Sequence, residues 1–177
     1  MASPQDAPHG SLSPTAVFLS PNGRITQSQY WMGVAVIFAG NIVVIFIGQL
    51  GLLLWAFLVF VGVSVYGKRL HDIGKAIWVH AIVWIVVLII AIGSAALSWD
   101  GMVEISTLFD PQNPPTEEEM VAEIMAQGPE LTQKFLPITL AFLINLLIWL
   151  FYTVWLGGQP SQKFDNRFGR GPSGDAF

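Results

Sequence analysis

From Tyr30 to Tyr66 the chain runs for 37 residues without a charged side chain. A single helix of that length would be about 55 Å long, against a hydrocarbon core of about 30 Å. The run must therefore fold back on itself. Its natural break is Gly48-Gln49-Leu50-Gly51, where two glycines and a polar residue allow a tight turn. The pattern predicts spans near 30–48 and 50–66, both close to the lower length limit. A re-entrant hairpin is the alternative, and it returns both ends to one side just as two full spans would. A third apolar run, Ala76–Trp99, is interrupted only by His80 and predicts a span over 77–98. The fourth, Phe135–Leu156, predicts a span over 135–156, with Pro137 in its first turn, where a missing N–H does least harm. These runs predict an all-α integral membrane four-helix bundle.

Polar segments divide the rest. Residues 1–22 carry small, Pro- and Ser-rich sequence without the basic and apolar regions of a secretory signal, and read as a disordered tail. Residues 23–160 form one transmembrane domain, and 161–177 a second tail. Within the domain, 100–134 holds eight acids and one base, Lys134. Thr116-Glu-Glu-Glu119 fits a capping box, with acids favoured in the first turn by the helix dipole. Met120, Val121, Ile124 and Met125 then share one face before Gly128-Pro129, which predicts a short amphipathic helix over about 117–127. That face either packs on the bundle or meets a partner or membrane surface. Asp100, Glu104 and Asp110 offer carboxylates to a divalent cation, but no ligand loop of known spacing accompanies them.

Composition agrees with the pattern. Only 11% of residues are charged and 53% are hydrophobic, where soluble domains are about a quarter charged. The absence of cysteine excludes disulfides, thiolate metal sites and cysteine nucleophiles. Against this background Gly67–Trp78 is an anomaly, gathering Lys68, Arg69, His71, Asp72 and Lys75. Four such charges inside a bilayer would cost roughly 10 kcal/mol on insertion scales, which predicts a loop outside the core. Four spans then place Arg24, Lys68, Arg69, Lys75, Lys163, Arg167 and Arg170 on one side and only Lys134 on the other. The positive-inside rule makes the termini cytoplasmic and the acidic segment 100–134 exported. Trp31, Tyr66, Trp78, Trp99 and Trp155 fall near span ends, as an aromatic belt requires.

Three segments meet at the cytoplasmic side: 23–31, 67–78 and 163–172. Their candidate polar cluster is Arg24, Lys68, Arg69, His71, Asp72, Lys75, Asn166 and Arg167. Asp72, an acid among bases, is expected to pair with Arg69, Arg24 or Arg167 and pin the loop to a terminal segment. Alternatively the bases form a pocket for anionic lipid or phosphate. His71 beside Asp72 invites a proton-shuttling role, but no nucleophile motif accompanies the pair, and His71, Asp72 and His80 match no standard metal spacing. No catalytic residue, metal or cofactor is assigned. Near mid-span, Asn41 and Asn145 are expected to bond across helices, and Gly33, Ala35, Ala39, Gly40 and Gly62 to allow close helix approach.

These residues resemble a known family. Gly23-Arg24-Ile25 with Tyr30-Trp31, the Lys68–Lys75 stretch with Trp78, and Asn166-Arg167-Phe168-Gly169 together resemble the bacterial family called domain of unknown function 805, the YhaH-like small inner-membrane proteins. The resemblance covers roughly 23–100 and 135–172. Gln27, Lys68 and Ala76-Ile77 depart from the usual pattern, and the acidic segment looks like an insertion. Membership implies a multi-pass bacterial inner-membrane protein and supplies no chemistry. The reading is a structural or accessory component acting through a protein partner or as a homo-oligomer, with anionic lipids at its cytoplasmic face. An anionic lipid- or phosphate-binding module is the alternative, a small transporter or channel a more distant one. Nothing points to nucleic acid.

Overall fold

Thr26 sets the start of the first long helix. Its hydroxyl accepts from the Gln29 N–H at 3.2 Å while the Gln29 side chain accepts from the Thr26 N–H at 3.1 Å, a reciprocal capping box. The structure, a computed structural model, describes residues 14–107 and 115–169. Their helices are α1 (Pro14–Leu19), α2 (Gln27–Phe46), α3 (Gly51–Asp72), α4 (Trp78–Leu97), α5 (Trp99–Thr107) and α6 (Glu117–Gly158). A 3-10 turn, Gly48–Leu50, joins α2 to α3 where the two-glycine break was expected. Among the described residues there is no β-strand, only an isolated bridge between Asn166 and Gly169.

Four segments are long and apolar enough to cross a membrane: Gln27–Phe46, Gly48–Asp72, Trp78–Leu97 and Gly128–Gly158. Their outward faces are apolar, with Phe46 81% and Phe151 74% exposed. Surfaces of that kind would drive association in water but need no cover in hydrocarbon.

Several boundaries differ from the sequence expectation. Span two does not stop at 66: α3 continues through Gly67–Asp72, so most of the charged stretch is helix and only 73–77 connects α3 to α4. The reason is that its charges are paired or bonded inside the protein, which removes the penalty that isolated charges would face. Gly128-Pro129 does not end a short helix either. One helix of 42 residues contains both Pro129 and Pro137. Each proline deletes a single backbone donor, a small loss in a helix of this length. The expected Thr116 cap is present, its hydroxyl accepting from the Glu119 N–H at 3.3 Å and Glu119 accepting from the Thr116 N–H at 2.9 Å.

Part of the acidic segment, α5, is helical where none was expected, because the α4 ladder carries on across Ser98: Ser98 N–H bonds Ser94 and Met102 N–H bonds Ser98. Residues 14–19 of the expected tail form α1. Residues 1–13 of that tail, Asp110, the Ile124 side chain, Arg170 and the end of the second tail lie outside the described residues.

The described residues fall into two compact units, one within 1–83 and 152–177, the other within Trp84–Phe151. In the first, α2 lies against α3 at two glycines. A Cβ on Gly33 would come within 2.8 Å of Val65, and one on Gly40 within 2.8 Å of Leu58. Ala35 and Ala39 are exposed instead, and a Cβ on Gly62 would meet nothing within 4 Å. In the second unit, Trp84 of α4 meets Trp149 of α6 edge-on, with ring centroids 5.2 Å apart. There too, Lys134 of α6 bonds Glu104 of α5.

Candidate functional site: a buried ionic cluster

The last turn of α3 ends in a Schellman motif. Gly74, at φ 75°, takes the left-handed position that glycine adopts freely; its N–H bonds the His71 carbonyl at 3.1 Å, and the Lys75 N–H bonds the Leu70 carbonyl at 2.8 Å. Arg69 and His71 stand in that turn, where a helix C-terminus favours positive charge. This termination fixes the direction of three side chains, Lys68, Arg69 and Asp72, all fully buried.

Asp72 holds two arginines at once. Arg24 donates from Nε at 3.1 Å and Nη2 at 3.0 Å to Oδ1, and Arg69 donates from Nη1 at 2.6 Å to Oδ2. Each carboxylate oxygen thus serves a different guanidinium, and the three side chains are at most 1% exposed. The remaining donors reach the C-terminal segment. Arg24 Nη1 bonds the Phe164 carbonyl at 2.9 Å, and its Nη2 also reaches that of Gln162. Arg69 bonds Ser161 Oγ at 2.9 Å and the carbonyls of Leu156 and Gln159. A backbone bond adds a tie, Gln162 N–H to the Asp72 carbonyl at 3.2 Å. Asn166 completes the closure, donating to the His71 carbonyl at 2.9 Å. Lys68 stands apart from this triad: its ammonium donates to the carbonyls of Ala16, Val17 and Ser20, at the end of α1.

Of the expected cluster, Arg24, Lys68, Arg69, His71, Asp72 and Asn166 converge. Asp72 pairs with Arg24 and Arg69, not with Arg167. The Arg167 guanidinium is exposed and lies 4.7 Å from the Phe168 ring centroid. Lys75 is exposed and enters only through its backbone. His71 stacks flat on Phe168, centroids 4.1 Å apart, and its Nδ1 lies 3.3 Å from the Gly23 carbonyl. Asn41 bonds the Ile37 carbonyl of its own helix at 2.8 Å rather than another helix. Asn145 does cross, to the Val87 carbonyl at 3.5 Å, while its Oδ1 is buried without a hydrogen bond.

Sequence reasoning missed a layer of aromatic rings in the same unit. All three tyrosines of the chain, Tyr30, Tyr66 and Tyr152, gather with His80 and Thr153. Tyr66 donates to or accepts from Thr153 Oγ1 at 2.7 Å, Tyr30 donates to the Thr153 carbonyl at 3.1 Å, and His80 Nδ1 shares a hydrogen with the Tyr152 hydroxyl at 3.2 Å. The Tyr66, His80 and Tyr152 rings form a triangle, with centroids 5.2, 5.6 and 5.7 Å apart. Tyr66 is therefore an interior residue and not part of an interfacial belt. Its immediate neighbours in sequence gave no sign of this, since its ring partners lie 14, 36 and 86 residues away. Gln27 was likewise missed: its side chain donates to the Gly157 carbonyl at 2.6 Å.

Chemically this arrangement binds segments to one another. The guanidiniums already face protein acceptors and are closed to solvent, so they present no open fork to an external anion. Among the described residues no group of three or more His, Asp or Glu side chains could hold a metal ion. No protein-family model matches the chain, and comparisons with curated proteins and with solved structures return no match.

Proposed function

We propose that this chain is a structural or accessory multi-pass membrane protein whose Arg24–Asp72–Arg69 cluster clamps both ends of the chain to the end of α3. The observation that carries this reading is the burial of Asp72 between two arginines whose other donors go to residues 156–164. Buried ion pairs are weak stabilisers compared with apolar packing, but they fix one arrangement because every alternative strands a charge. A clamp of that kind suits a scaffold that must hold one face constant.

In this reading the four apolar helices form a bundle in a bacterial inner membrane, as expected of the family that the Gly23–Trp31, Lys68–Trp78 and Asn166–Gly169 segments resemble. Seven bases toward one side put the termini in the cytoplasm. The chain has no cysteine, so a Glu118→Cys variant reports topology directly. Labelling from outside the cell only is expected; labelling from the cytoplasm overturns the orientation. Native mass spectrometry of the protein purified in mild detergent tests the scaffold role. A homo-oligomer or a stoichiometric protein partner is expected, and a lone monomer carrying only lipid overturns it.

A further inference from the structure

The described bases of the first unit fall into two sets. Arg24, Lys68 and Arg69 are buried, whereas Lys75, Lys163 and Arg167 are exposed. The exposed set comes from two segments that the clamp brings to one place. Gly74 leaves room for the Gln162 side chain, since a Cβ there would come within 2.9 Å of Gln162 Cδ. Lys75 and Lys163 each stand one residue from that contact. The Arg167 guanidinium lies 4.7 Å from the centroid of the Phe168 ring, and that ring stacks on His71 in the last turn of α3.

Apolar side chains are displayed beside these bases. The Phe164 carbonyl is held by Arg24 at 2.9 Å, yet the residue is 83% exposed. On the other segment Ile77 and Trp78 are exposed, and Trp78 opens α4, a helix long and apolar enough to cross a membrane. Lys75 thus lies three residues before a span, at the depth of the headgroups. Exposed aromatic rings beside bases at the ends of apolar helices suit the boundary of an anionic bilayer, where rings enter the headgroup layer and bases meet phosphates.

We propose that Lys75, Lys163 and Arg167, with Phe164 and Trp78 beside them, form a face that docks on the anionic phospholipid headgroups of the surrounding bilayer. It rests on the clamp, which holds 162–168 against the end of α3. The two lysines reach phosphates as point charges on flexible stems, and the Arg167 fork takes two oxygens of one phosphate. Placement favours lipid over a protein partner, because Ile77 and Trp78 run straight into a span and whatever meets Lys75 meets it at the bilayer boundary. Asp165 is exposed in the same segment and opposes the three bases, which keeps the preference moderate. The buried bases, expected from the sequence to hold anionic lipid, are spent on the protein itself; the exposed set takes that role.

The test is native mass spectrometry of the full chain released from nanodiscs of phosphatidylcholine and phosphatidylglycerol in equal parts. Phosphatidylglycerol is expected to be retained in an excess of about tenfold, since each base near an anionic surface contributes roughly fivefold and Asp165 offsets part of it. The excess is expected to fall toward parity in nanodiscs equilibrated at high salt, the contacts being exposed. In a variant carrying Lys75→Gln, Lys163→Gln and Arg167→Gln it is expected to vanish at any salt. A wild-type chain without the preference, or a variant that keeps it, overturns the proposal. A protein retained stoichiometrically by the wild type and lost from the variant, with no lipid preference in either, assigns the face to a protein and also overturns it. If the variant does not fold, the wild type decides alone: a preference that persists unchanged at high salt overturns the face. Exchange of the Gln162 amide, which bonds the Asp72 carbonyl, separates this face from the clamp. A protected amide without lipid preference means that the face alone fails, and an unprotected amide means that the clamp does.

Discussion

Two ionic triads in this protein have mirrored composition and opposite settings. Arg24–Asp72–Arg69 places one acid between two bases, with side chains at most 1% exposed. Glu104–Lys134–Glu130 places one base between two acids, with side chains 27%, 28% and 67% exposed. Counted as ion pairs the two are equal. Physically they are not, because water already solvates the second triad and competes for each charge. In the first triad the protein supplies all the solvation, so each member depends on the others. The buried triad spans the sequence from residue 24 to residue 72, and its arginines bond onward to 156–169. The exposed one joins α5 to α6 and adds a pair within one turn of α6.

The largest effect is expected from removing the acid of the buried triad. Asp72→Ala leaves two guanidiniums buried without a counter-charge and should cost about 3–5 kcal/mol. Denaturant unfolding in detergent micelles measures this, and a loss under about 1 kcal/mol would show that the triad is solvated after all. Next, Arg24→Lys keeps the charge but loses the fork that spans Asp72, Phe164 and Gln162. An intermediate loss of about 1–3 kcal/mol is expected, from donors that go unmade at buried acceptors. The same assay checks it, and wild-type stability would mean that the fork is dispensable.

Lys134→Ala should cost far less than Asp72→Ala, and less still as salt is raised. A loss as large as that of Asp72→Ala would erase the contrast. Smallest is the cap of α6. The Thr116 N–H, and after it the Thr116 hydroxyl, hold the Glu119 carboxyl below its ordinary range. A depressed acid contributes stability above its ordinary value and loses it as pH falls through the lowered one. First-turn amides of α6 should therefore exchange faster at low pH, beyond the intrinsic pH dependence of exchange, and this excess should vanish in Glu119→Gln.

The comparison also explains what the sequence could disclose. Four apolar runs and the glycine break at 48–51 were readable because bilayer thickness and helix rise bound them from outside. The end of span two was not, because insertion scales treat each charge as if it faced lipid alone. Lys68, Arg69 and Asp72 avoid that penalty through partners at 16–24 and 156–161, which no local pattern reveals. A usable signal was nonetheless present: Gly74 at a helix stop, preceded by bases in the last turn. The Thr26-x-x-Gln29 box that starts α2 three residues before Tyr30 was equally readable. Pro129 read as a stop because proline removes a donor, yet the helix of 42 residues runs through it with one bond fewer. The Tyr30–Tyr66–Tyr152 layer was illegible in principle from single positions, since a tyrosine near a span end looks the same whether it faces a headgroup or another ring.

A double-mutant cycle on Arg24 and Asp72, set beside one on Lys134 and Glu104 in the same nanodiscs, tests the central claim most directly. The account predicts a coupling of about 2–3 kcal/mol for the buried pair, insensitive to salt, and a much smaller one for the exposed pair that fades as salt is raised. Equal couplings, or a buried pair whose coupling fades with salt, would contradict it.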